Sequence, residues 1–249
     1  MMGTLSMVLA LQTSALADVQ DVYDQGLEAL RTDQFETAEI LFLESLDDGG
    51  HDPALYHALG NSLFRQEKYG AALVAWERGM HLDPRDGDLQ ANADHTRREL
   101  GLSLNRAGER SRLPWNQWLA PWEGALGAGF LLAMGFGALL IRRLRTPARG
   151  RRTGWETPIL VTTGLLLAAS TWEATRLDAG HIIIGDDVMA RSAIGAQGVA
   201  LFELSSGTAT TVLEFSQEQV LIQLEDGRKG WLPASSVLSC DPEAPFSSY

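Results

Sequence analysis

The chain has 249 residues, 20 Lys or Arg against 32 Asp or Glu, and a formal charge of −12 at pH 7. That balance excludes nucleic acid as a partner, because an acidic surface repels phosphates, and a single cysteine excludes an internal disulfide framework. The five histidines lack H-E-x-x-H or Cys-His spacing and no P-loop or nucleophile-elbow signature occurs, so no metal or other cofactor is expected and the chain reads as a non-enzyme.

Residues 1–17 read as a signal peptide. Thr4 to Leu16 is apolar and runs into Ala15-Leu16-Ala17, the A-x-A pattern that precedes cleavage, here before Asp18. No Lys or Arg precedes the apolar region, so the alternative is an uncleaved anchor.

Residues 18–104 contain an internal repeat. Aligning Gly26 with Gly60 gives a period of 34 residues and superposes Ala38 on Ala72 and Phe42 on Trp76. In the second unit Tyr56, Leu59, Gly60, Leu63, Ala72, Trp76 and Pro84 fall at the tetratricopeptide spacing, so the segment resembles the tetratricopeptide-repeat family, all-α with two helices per unit. Gly60 and Ala72 are small where the two helices approach, Trp76 fills the gap beside them, and Pro84 ends the second helix. A third unit opens at Gly87-Asp88-Leu89-Gln90 as a capping helix, with Leu89, Ala93 and Leu100 on a buried face and His95, Arg97, Arg98 and Glu99 on a solvated one. Repeat arrays generally need about three units, so self-association or a partner is expected to complete the stack.

The tetratricopeptide resemblance implies a concave face lined by the first helix of each unit. Its positions are Tyr23, Leu27, Leu30 and Arg31, then His57, Asn61, Phe64 and Arg65. Arg31 and Arg65, with Asn61 between them, either hold a carboxylate or an extended peptide backbone, or are solvated surface groups.

Residues 105–117 read as a linker. Two apolar stretches, with charge-free cores Gly124 to Ile141 and Thr157 to Trp172, predict transmembrane helices over 118–141 and 155–173. The loop between them, 142–154, has six arginines and no acid, which leaves −18 on the rest of the chain and predicts a cytoplasmic loop. Trp115, Trp118, Trp122, Trp155 and Trp172 stand where aromatic rings prefer the headgroup layer. The expected location is the bacterial inner membrane, with the flanking domains periplasmic.

Residues 181–239 change to an extended pattern. Thr208 to Phe215 and Gln219 to Leu224 are rich in β-branched residues, Asp226-Gly227 is a tight hairpin turn, and Lys229-Gly230-Trp231-Leu232 is its return strand. Pro233-Ala234-Ser235-Ser236 predicts a 3₁₀ turn before a last strand at Val237-Leu238. This order, with Val188-Met189-Ala190-Arg191 and Phe202-Glu203-Leu204 ahead of it, resembles the bacterial SH3 domain, a small all-β barrel. Trp231 is then either a ligand-groove residue or plain barrel core. Residues 240–249 form a tail in which Cys240 reads as an incidental thiol.

Leader, repeat pair, membrane hairpin and terminal SH3 domain, in that order, resemble the BatE family of the Bacteroides aerotolerance operon. The resemblance implies a multidomain, membrane-anchored, non-enzymatic scaffold. Its partners would be envelope proteins bearing von Willebrand factor A (VWA) domains, together with a MoxR-type ATPase. Tyr23, Leu27, Arg31, His57, Asn61, Phe64, Arg65 and Trp231 would bind partners. The alternative is a cell-wall-binding sensor of envelope stress acting through the SH3 domain.

Overall fold

The computed structural model describes residues 19–104, 126–127, 129–130, 133–137, 162, 165, 180–195, 198–216 and 218–246. The chain divides into two compact units, Met1–Glu109 with Asp178–Tyr249, and Arg110–Leu177.

The first unit begins with helices α1 (19–31), α2 (Phe35–Asp47), α3 (Pro53–Arg65), α4 (Tyr69–Leu82) and α5 (Gly87–Glu99). Their starts are encoded locally. The Asp52 side chain accepts from the Ala54 N–H at 2.7 Å with Pro53 opening α3, and Asp86 accepts from Asp88 and Leu89 to start α5. The stops recur at the repeat period. Asp33 after α1 (φ 58°) and Glu67 after α3 (φ 62°) are left-handed, and the next residue donates back into the helix: Gln34 to Ala29 at 2.9 Å, Lys68 to Leu63 at 3.0 Å.

The helix pairs pack by one device used twice. A Cβ on Gly26 would lie 2.5 Å from a Phe42 ring carbon, and one on Gly60 would run into the Trp76 indole. An aromatic ring of the second helix thus rests on bare backbone of the first. Ala38 and Ala72 are fully buried beside these contacts. The region is therefore a helical repeat in its geometry as well as in its sequence period.

The same unit contains seven antiparallel strands, β1 (His181–Ile183), β2 (Val188–Arg191), β3 (Ala200–Leu204), β4 (Ala209–Ser216), β5 (Gln219–Gln223), β6 (Lys229–Pro233) and β7 (Val237–Ser239), in the order β3-β2-β6-β5-β4-β1-β7. The β5–β6 turn uses Gly227 at φ 87°, and a 3₁₀ turn, Ala234–Ser236, leads into β7. One face of the sheet closes over its own core of Ile183, Ala190, Leu204, Val220, Ile222, Leu232 and Val237.

The helices and the sheet also share a second core. Ile182, Leu238 and Cys240 are buried in the cluster that holds Leu59, Leu73, Trp76 and Met80. Helix α4 runs against β1 and β7. Its Gly70 N–H donates to Ser206 Oγ at 3.1 Å, and the Ser206-Gly207 turn sits close to Leu73, Leu100 and Leu102. Cys240, expected as an incidental thiol in a tail, is fully buried.

Two expectations are corrected. Arg97 is not on a solvated face: it is 2 % exposed and ion-paired with the buried Glu77 of α4, with Asp94 at 3.7 Å, because that side of α5 packs on α4. The two transmembrane helices, and with them the bacterial inner-membrane location, are not upheld, since among the described residues no helix is long and apolar enough to cross a membrane. The longest, α4, has 14 residues, about 21 Å against a hydrocarbon core of about 30 Å. In the second unit the described helical residues are 126–127, 129–130, 133–137, 162 and 165. Most of 118–141 and 155–173 lies outside the described residues, as do the leader 1–17, the linker 105–117 and the loop 142–154.

Candidate functional site

The expected arginine pair is engaged by neighbouring acids. Arg31, near the end of α1, is highly exposed and lies 3.6 Å from Glu28 one turn back. Arg65, at the end of α3, donates to Asp33 at 3.2 Å and stacks on the Phe35 ring at 4.4 Å. Asp33 holds this position because it is the left-handed residue that closes α1. Such exposed pairs contribute little to stability, but they occupy the guanidinium edges that a carboxylate clamp would use.

Three of the expected aromatic and aliphatic positions also pack within the fold. Tyr23 lies 5.9 Å from Phe42, and burial raises its phenol pKa above the ordinary value. Leu27 packs against the shared core. Phe64 is wedged between Tyr69 at 5.5 Å and Trp76 at 5.9 Å.

His57 and Asn61, one turn apart on α3, are brought together with a residue that sequence reasoning missed. Asn92 of α5 donates to His57 Nε2 at 3.0 Å and to Asn61 Oδ1 at 3.1 Å. The three side chains are half-buried and form a polar seam between the helices. A signal for Asn92 existed. It stands 34 residues after Ala58, which is buried, so continuing the repeat register onto α5 places an amide at a packing position.

On the sheet, Trp231 resolves to the outer side. Its strand neighbours Gly230 and Leu232 are buried while Trp231 is half-exposed and outside the sheet core. Gly230 permits this placement, because a Cβ there would lie 2.8 Å from the Ala190 Cβ, and its absence lets β2 close on β6. Directly opposite residues in antiparallel strands share a face. The register therefore lines up Ala200, Arg191, Trp231, Leu221 and Glu214 in one row across five strands. Arg191 is steadied by a bond to the Gly198 carbonyl at 3.1 Å. The row offers an aromatic plane, an aliphatic neighbour, a cation and a carboxylate, groups that can hold a ligand.

Comparison with known proteins finds no matching family model and no matching curated protein. The class that the fold defines is a helical-repeat region joined to an antiparallel sheet.

Proposed function

We propose that this chain is a non-enzymatic scaffold that binds protein partners, its helical region acting as tetratricopeptide-type repeats and its sheet as an SH3-type module. The observation that carries the reading is Trp231, half-exposed in the middle of a cross-strand row with Arg191 and Leu221 opposite it. Aromatic anchors of this kind dominate protein interfaces, since a rigid ring supplies contact area at small entropic cost. The His57–Asn61–Asn92 seam supports the same reading as a second, polar contact. Both surfaces belong to one compact unit, so a partner touching both gains effective concentration without a flexible linker. The resemblance to the BatE family supports proteins with VWA domains as those partners, in a stress or aerotolerance assembly with a MoxR-type ATPase.

The test is copurification of the VWA-domain proteins with the tagged chain. Trp231→Ala, removing a central anchor, is expected to weaken that association by about thirtyfold, roughly 2 kcal/mol. Arg31→Ala combined with Arg65→Ala should leave it intact. Loss with the arginine pair and retention with Trp231→Ala would overturn the assignment. Sedimentation of the chain with purified cell wall, with no protein partner recovered, would favour the envelope-stress sensor instead.

A further inference from the structure

We propose that the surface of α3 and α4 around Tyr56 and Arg78 is a peptide-binding site for a partner segment that combines an Asp-Pro turn with an Ala-Pro-aromatic sequence, and that residues 241–246 of this chain occupy it as a displaceable resident ligand. Arg78 is 1 % exposed, and four of its hydrogen bonds go to main-chain carbonyls. Nε and Nη2 donate to Ser239 at 3.1 and 2.9 Å, Nη1 donates to Ala244 at 2.8 Å, and Nη2 also donates to Pro245 at 3.2 Å. The guanidinium plane lies 4.8 Å from the Phe246 ring centroid. Tyr56, fully buried, donates to the Pro242 carbonyl at 2.9 Å and is met by His51 Nδ1 at 3.2 Å.

The contacts divide into a fixed part and a removable part. Ser239 belongs to β7 and stays with the sheet, whereas the partners Pro242, Ala244, Pro245 and Phe246 all lie on one short segment. Without that segment Nη1 loses its carbonyl and Tyr56 its acceptor. The guanidinium then keeps only the Ser239 carbonyl, shared by Nε and Nη2, and any chain presenting carbonyls at the places of Ala244 and Pro245 restores the rest. Burial lowers the Arg78 pKa from its ordinary value, against smaller opposing effects from Tyr56, Cys240 and Asp241.

The segment also carries its own shape. The Glu243 N–H donates to Asp241 Oδ1 at 3.0 Å, and the Ala244 N–H donates to the Asp241 carbonyl at 3.1 Å. This is a self-closed Asx turn that a free peptide can adopt. Recognition through carbonyls and one ring asks little of the other side chains, and Glu243 and Pro245 are exposed. The ligand class is therefore a short Asp-Pro-x-Ala-Pro-aromatic segment rather than one fixed sequence.

The experiment uses a fluorescein-labelled peptide, Asp-Pro-Glu-Ala-Pro-Phe, read by anisotropy. A chain ending at Cys240 should bind it saturably, the full chain at least tenfold more weakly, and the shortened chain carrying Arg78→Met not measurably. Replacing the peptide's phenylalanine by alanine should weaken binding severalfold. The full-length Phe246→Ala variant, which keeps the chain whole, is a second route and should bind the peptide more tightly than the unaltered chain. A folded shortened chain that ignores the peptide, or binding that survives Arg78→Met, would overturn the proposal. So would unfolding of both altered chains, which would make residues 241–246 a permanent part of the core. The readout does not involve the partner of the Trp231 row, so each proposal stands or falls by itself.

Discussion

Gly60 shows how one missing atom sets a contact. The Trp76 indole occupies the space where a Cβ would stand, and its buried Nε1 has no hydrogen-bond partner among the described residues, so packing holds the ring there. Gly60→Leu forces extra carbons into that contact and should cost about 1–3 kcal/mol or more, read as a lower urea midpoint by circular dichroism. An unchanged midpoint would refute the packing described. Tyr56 gives a pH signature at the same scale. Burial raises its phenol pKa above the ordinary 10, against a smaller opposing effect from Arg78 beside it. The folded chain therefore holds that proton more tightly than the unfolded chain. The stability gained is present in full below pH about 10 and is lost as pH rises through the raised value. In Tyr56→Phe this alkaline loss should shrink, measured as the difference in unfolding free energy between pH 9 and pH 11.

Among the elements, α5 is more than a cap. It supplies Arg97 to Glu77 and Asn92 to His57 and Asn61, so it fixes α3 and α4 through polar bonds as well as through Leu89 and Ala93. Asn92→Ala removes the closer donor to His57 Nε2 and the donor to Asn61 Oδ1 and should destabilise by about 1 kcal/mol. Arg31→Ala, which removes an exposed pair, should stay within about 0.5 kcal/mol; equal effects in chemical denaturation would contradict this ranking. Much of the element level was legible in the chain. The 34-residue period, the Asp52 and Asp86 caps, the Asp226-Gly227 turn and the strand runs are local patterns, each written within a few residues of where it acts. What was not legible depends on distant partners. Arg78 meets carbonyls 161 to 167 residues away, and Tyr56 meets one 186 away, so no window of sequence contains both ends. Asp33 likewise becomes a neighbour of Arg65, 32 residues on, only once the turn after α1 is formed.

For the whole molecule, the joining of helices and sheet into one unit matters most. Sequence composition separates them by a long apolar and Arg-rich region, yet Ile182, Leu238 and Cys240 are packed among helical side chains, and the Ser206-Gly207 turn lies against α4 and the chain beyond α5. The two candidate surfaces therefore belong to one compact unit. The apolar stretches suggested a membrane hairpin by length and hydropathy, but none of the described helices is long and apolar enough to cross a membrane.

The most direct test of the shared core is Gly70→Ala in the full chain, read as the shift in unfolding free energy. Within a helix this change ordinarily stabilises by about 0.5–1 kcal/mol, because alanine loses less backbone freedom on folding. Here the new methyl would meet the Ile183 carbonyl oxygen at 2.5 Å, Ser206 Oγ at 2.6 Å and the Ile184 Cα at 2.9 Å, two of them backbone atoms that cannot turn aside. A helix packed directly on β1 predicts destabilisation, by about 1–3 kcal/mol, with faster hydrogen exchange in both α4 and β1. Stabilisation, with exchange in β1 unchanged, would contradict it.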